Sequence, residues 1–195
     1  MTAGFRRGKI DGVMSTATKL TYEDYVLMPD DGQRHELIDG ELFVVPAPAT
    51  RHQLISGNLY LILAPYVRAR NAGTVAYAPL DVRLSPIDVV QPDLIFVKAE
   101  NAARITGQAV EGPPDLAVEI LSDSNRRHDE VTKRALYERF GVPEYWLIDP
   151  DARTVNVLRL TEGAYSSAVM LREGDTLTSP LFPGLEISLT SIFTI

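Results

Sequence analysis

Residues 116–121, LAVEIL, are apolar at every position but one and follow the breaker Gly112-Pro113-Pro114. Such a run reads as a strand buried on both faces, which puts a sheet inside the molecule with further layers packed on either side. The other periodicities supply those layers. Tyr22, Tyr25 and Val26 mark a short helix that starts at Thr21 and stops at Pro29. Arg34–Ile38 and Glu41–Val45 flank Asp39-Gly40, the two-residue signal of a type I′ hairpin. Thr50 with Gln53 suits a capping box, and Ile55, Leu59, Ile62, Leu63 and Tyr66 continue a long core helix as far as Gly73, bent at Pro65. Strands are expected over 74–84, 89–97 and 116–121, then a helix over 126–140 closed by Gly141 and Pro143. Strands at 145–148 and 154–160 follow, and the tail through 169–171 and 185–189 is β-rich. This order predicts an α/β (α+β) fold: a mixed central sheet flanked by helices, with an N-terminal β-hairpin and a β-rich C-terminal extension.

With 195 residues and no internal repeat, the chain is expected to form one domain over 21–195, preceded by a polar, aperiodic tail over 1–20 in which Met14 is an alternative start. The longest mostly apolar stretch, 59–67, contains Pro65 and falls well short of the roughly 20 residues a bilayer requires, so no membrane partner is expected. Arg6, Arg7 and Lys9 are followed by no apolar core, which does not match a secretory signal and points to a cytoplasmic protein. The absence of cysteine removes disulfides, thiolate metal sites and thiol nucleophiles together. Of the net charge of −7, residues 1–20 carry +3, leaving −10 on the body. An acidic body disfavours broad, non-specific nucleic-acid binding but leaves room for a local basic site or a restricted cleft, which a homodimer partner could complete.

Three charges sit where apolar residues belong. Glu119 lies in the middle of LAVEIL, on the face of Ala117 and Leu121. Asp93 precedes the apolar run 94–97 and shares the face of Ile95 and Val97. On a helical wheel for 126–140, Leu136, Tyr137 and Phe140 fall within about 60° of Lys133, so its amine must reach something polar: Asp129 one turn back, or a carboxylate on the sheet below. Taken singly, each is a structural ion pair or a snorkelling side chain. Taken together, two acids on adjacent strands and a lysine on the following helix are the minimum set for metal-dependent phosphodiester hydrolysis. The carboxylates hold a hard divalent cation, and the ammonium stabilises developing charge or orients the water.

The segments HELIDGEL, APATRHQLISGNL, VVQPDLIFV, GPPDLAVEILS and KRALYERFGVPEYWLIDP together resemble the Uma-two family, assigned to endonucleases of the restriction-endonuclease-like PD-(D/E)XK superfamily. The resemblance implies a metal-dependent endonuclease using Mg²⁺ or Mn²⁺ on nucleic acid, DNA in particular. It makes Asp93 the acid of the PD and Glu119 the second acid. Where the common motif has Lys this chain has Leu121, and Lys133 takes its place from the neighbouring helix. Glu36 and His52 match family positions too. Glu36 could bring a third carboxylate or a water to the metal or be an exposed hairpin charge, and His52 could contact phosphate or cap a helix. Gln91 could orient a ligand, while Tyr137 shares the face of Lys133 and is otherwise core. Arg126, Arg127 and His128 form a small basic cluster that could grip a nucleic-acid backbone or be solvated surface. Three histidines without HExxH spacing argue against a zinc hydrolase, and the chain has no GxSxG elbow, phosphate loop or dinucleotide fingerprint. The competing expectation is a non-catalytic nucleic-acid or protein-interaction module whose charges form a buried network.

Overall fold

The computed structural model describes residues 18–194. The expected tail therefore lies outside the described residues up to position 17. Its end is anchored, since Lys19 pairs with Asp39 and the Leu20 amide donates to the Gly40 carbonyl at 3.0 Å. The first helix, α1 (Tyr22–Val26), has a full capping box between Thr21 and Asp24. Strands β1 (Arg34–Ile38) and β2 (Glu41–Val45) pair in the expected register about Asp39 and Gly40, both at positive φ as a type I′ turn demands.

The long helix α2 (Thr50–Ala69) starts without the expected Thr50–Gln53 box: Ala49 is the cap and Thr50 is already helical, so its hydroxyl is not in the capping position. The chain leaves α2 at Arg70 and Asn71, the latter in the left-handed region. Gly73 instead opens β3 (Gly73–Tyr77), where a Cβ would collide with the Val97 carbonyl.

Two expected strands each divide at a proline, which has no amide proton for a ladder. Residues 74–84 become β3 and β4 (Val82–Ser85) around Pro79, and residues 89–97 become β5 (Asp88–Val90) and β6 (Leu94–Lys98) around Gln91-Pro92-Asp93. The halves enter different sheets. With the hairpin and β7 (Val110–Glu111), β4 and β5 build a sheet of order β2-β1-β5-β4-β7.

The central sheet holds β8 (Leu116–Ile120) between β6, to which it is antiparallel, and β9 (Glu144–Asp149), to which it is parallel. Strands β10 (Thr154–Thr161), β11 (Ala164–Tyr165) and β12 (Val169–Arg172) continue it on one side, and β3 closes the other. One face, with Leu116, Val118, Ile120 and Trp146, packs on Ile55, Leu59, Leu63 and Val67 of α2. It is also covered by Phe193 of α4 (Leu189–Phe193), a helix that takes over where the β-rich tail was expected to continue, after β13 (Thr176–Leu177) and β14 (Ile187–Ser188). The opposite face, with Ile95, Val97, Ala117 and Leu121, packs on Leu136, Tyr137, Val82 and Val90. LAVEIL is thus covered on both sides. Each fully buried aliphatic side chain contributes about 1.5–3 kcal/mol to that arrangement.

The helix expected over 126–140 is not uniformly α. Its stretch His128–Lys133 is π-helical and runs directly into α3 (Arg134–Arg139), with the Arg134 amide donating to the Asp129 carbonyl five residues back. In a turn of that width, residues i and i+5 share a face. No helix among the described residues is long and apolar enough to cross a membrane.

Candidate active site

The break at Gln91-Pro92-Asp93 leaves Asp93 just ahead of β6 rather than within it, next to the end of β8. There its Oδ2 accepts the Ile120 amide at 2.7 Å and the His52 Nε2 proton at 3.0 Å. His52 Nδ1 is buried without a hydrogen-bond partner among the described residues. His52 sits in the first turns of α2, so each face of the central sheet sends residues to one spot.

From the other face comes Lys133, 3% exposed. Its Nζ lies 2.8 Å from Glu36 Oε1, 2.9 Å from Glu119 Oε1 and 3.4 Å from Asp129 Oδ1. Tyr137, one α-turn further on, donates to the same Glu119 oxygen at 2.8 Å. His128, five residues before Lys133, reaches Glu36 Oε2 at 3.2 Å, and the Gln91 amide donates to Glu36 Oε1 at 2.8 Å. Glu36 is fully buried, so it is not an exposed hairpin charge.

These contacts set the protonation of the site. Burial alone would raise the Glu36 carboxyl, but the Lys133 charge and hydrogen bonds from His128, Lys133 and the Gln91 amide outweigh it and hold the group at about 2. Glu119 goes the other way: burial, seconded by the charges of Asp129, Asp93 and Glu36, pushes it well above the usual carboxylate range against the pull of Lys133. Burial, with Glu36 and Asp93, pushes Asp129 up to about 6. Burial disfavours the Lys133 ammonium, yet Glu119, Glu36 and Asp129 more than compensate and raise it well above its ordinary value. Tyr137 is likewise raised by burial and by Glu119, so it stays a neutral donor. Three carboxylates thus share one lysine, and the cluster is short of positive charge.

Asp93, Glu119, Asp129 and Lys133 line a cleft of ≈ 170 Å³ together with Arg34, His52, Gln91 and the loop 45–49. As arranged, no set of three or more His, Asp and Glu side chains among the described residues is spaced to hold a metal ion. The Lys133 ammonium occupies the centre of that set. The donor chemistry nevertheless suits a hard divalent cation. All the candidate ligands are oxygens. Asp93 Oδ1 and Glu119 Oε2 take no hydrogen bond from any described residue, and Asp129 Oδ1 is buried without one.

The structure therefore brings together Asp93, Glu119, Lys133, Glu36, His52, Gln91 and Tyr137. Glu36 and Tyr137 stand behind the cleft rather than on it. Arg126 pairs with Asp149 at 2.6 Å, Arg127 is exposed, and neither lines the cleft. Sequence reasoning missed the contact of His128 with Glu36, since α-helical spacing turns position 128 away from 133 and only the π turn brings them together. It also missed Arg34, whose signal was the two-residue spacing to Glu36 on one strand face.

The chain has a mixed α+β fold whose central sheet, covered on both faces, carries acids at adjacent strand ends beside a helix-borne lysine. The chain belongs to the Uma2 family, described as "Putative restriction endonuclease", whose model matches residues 22–190. Its fold is similar to that of a solved structure described as "a putative nuclease belonging to DUF820" from Anabaena variabilis ATCC 29413, with a TM-score of 0.76 and 19% identity over 89% of this chain and 97% of that one. None of the curated proteins compared with the chain matches it.

Proposed function

We propose that this chain is an endonuclease that hydrolyses nucleic-acid phosphodiester bonds, those of DNA, with Mg²⁺ or Mn²⁺. The observation that carries this reading is the convergence of Asp93, Glu119 and Lys133 on one cleft from three separate segments. The family description supports it. Asp93 and Glu119 would hold the cation, which when bound polarises a phosphate and acidifies a water. Ile120 and His52 fix the Asp93 carboxylate, and Tyr137 fixes that of Glu119. Lys133 offers its ammonium to the charge that develops on the phosphate, and Glu36 keeps that amine charged and in place. Plasmid nicking in Mg²⁺, Mn²⁺ and EDTA is the test. Cation-dependent nicking that falls ~10²-fold or more in Asp93→Asn and Glu119→Gln is expected. Folded variants that nick at the parental rate would overturn the assignment.

A second reading draws on the three carboxylates around Lys133: a closed ion-pair network in a non-catalytic nucleic-acid or protein-interaction module. Calorimetric titration with Mn²⁺ separates the two. The module shows no binding site that Asp93→Ala could remove, whereas the nuclease shows one and loses it.

A further inference from the structure

Among the described residues, Arg34 is the cation of the cleft that the nuclease reading does not use. It lies two positions before Glu36 on β1, so the pleat turns both toward the site. Glu36 is closed off behind Lys133, whereas Arg34 is half-buried and lines the cleft beside Asp93 and Glu119. Although acids surround the cleft, none pairs with Arg34 among the described residues. Its guanidinium is held by a neutral partner: Nε donates to Gln91 Oε1 at 3.0 Å and Nη2 to the Gln91 carbonyl at 3.3 Å.

Gln91 has no freedom to present anything else. Its Nε2 donates to Asp81 at 2.8 Å, which fixes the orientation of the amide, and its backbone amide is bonded to Glu36. Arg34 is therefore a preorganised cation without a counterion among the described residues. A guanidinium has five N–H donors in a fork that matches phosphate oxygens, and the Gln91 contacts leave donors over.

We propose that Arg34 binds a backbone phosphate of nucleic acid lying in this cleft, with Gln91 as its positioning residue; this rests on the nuclease reading above. In a body of net negative charge, such a site gives the polyanion a defined point of entry beside the carboxylates.

The test is fluorescence-anisotropy binding of a short DNA duplex to the full chain in EDTA, where nothing is cut, across a range of NaCl concentrations. Arg34→Gln is expected to weaken binding several-fold and to lower the slope of log affinity against log salt by about 0.9, the loss of one phosphate contact. Arg34→Lys should keep the slope while losing affinity, because a point charge replaces the fork. Gln91→Leu leaves the charge but not its support: affinity should fall with the slope unchanged, and the double variant should be no worse than Arg34→Gln alone. A merely structural role would lower the melting temperature and leave the slope alone. Parental affinity and slope in folded Arg34→Gln overturn the inference. Should that variant lose its melting transition, parental affinity in Gln91→Leu does the same. A parent protein that binds no duplex and nicks no plasmid instead sinks the nuclease reading, and this inference with it.

Discussion

Asp93 stands across the β6–β8 ladder from Glu119. Leu94 pairs with Val118, and the same register continued by one residue sets the two acids opposite each other, with Asp93 Oδ2 bound to the amide of Ile120. Like charges in directly opposed positions destabilise a sheet, the more so where burial removes water. A fold that keeps such a pair is under stress that a cation would relieve.

Divalent metal should therefore stabilise the protein. At about 100 times its dissociation constant, Mg²⁺ or Mn²⁺ contributes ~2.7 kcal/mol, which for a domain of this size raises the melting temperature by about 5–10 °C relative to EDTA. Asp93→Asn should abolish the shift. Identical melting curves in Mg²⁺, Mn²⁺ and EDTA at millimolar metal would count against the site.

Lys133→Met keeps the apolar stem and removes the charge, leaving Glu36 and Glu119 buried without their cation. A loss of ~3–5 kcal/mol of unfolding free energy is expected in EDTA. Mg²⁺ should recover part of it by supplying positive charge to the same carboxylates. Nicking at saturating metal should still fall by ~10²-fold, since the fixed donor at the phosphate is gone. A stable variant that nicks at the parental rate would exclude Lys133 from the chemistry.

Glu36 and Asp129 give opposite pH signatures. Glu36, held at about 2 against an ordinary 4.5, contributes stability that is complete above pH 4.5 and disappears as pH falls toward 2. Asp129, raised from 3.8 to about 6, is easier to protonate folded than unfolded, so stability declines as pH rises from about 4 to about 6, by at most ~1.4 kcal/mol per pH unit. Asp129→Asn should make that decline shallower, leaving only the share of the same sign from the raised Glu119, and be more stable than the parent at pH 7. Urea unfolding across this range reads it directly, and an unchanged slope in the variant would refute the assignment.

His52 would act on a cation held by Asp93 only through that carboxylate. Replacing it by Leu removes the Nε2 donor 3.0 Å from Oδ2 and should weaken Mn²⁺ binding ~10–100-fold, the usual cost of losing an outer partner of a ligand. Gln, whose terminal amide can stand in for Nε2, should restore most of the affinity. Isothermal titration of the two variants checks this, and equal affinities in both would make His52 a packing residue.

Much of the site was legible because it violates hydrophobic patterning. Glu119 inside LAVEIL and Lys133 on an apolar helix face are visible as anomalies before any contact is known, and α2 and the Asp39-Gly40 hairpin follow from local periodicity and turn chemistry. What was not legible depended on backbone departures. A period of 3.6 residues separates His128 from Lys133, and the π turn reunites them. Uninterrupted strands over 74–84 and 89–97 would have kept one sheet, whereas Pro79 and Pro92 divide them between two. Asp93, in consequence, lies at a junction of sheets.

The sequence by itself determined which residues must be inside, since burial of apolar surface follows from period and composition alone, and it marked the charges that burial would make costly. Only the tertiary structure decided their partners. Glu36 is far along the chain from Glu119 and Asp129, and whether the three share one ammonium, one cation or neither depends on distances of a few ångströms set by strand register and by one widened helical turn. Electrostatic energy falls off with those distances and with the water excluded between the groups, quantities that no one-dimensional pattern contains.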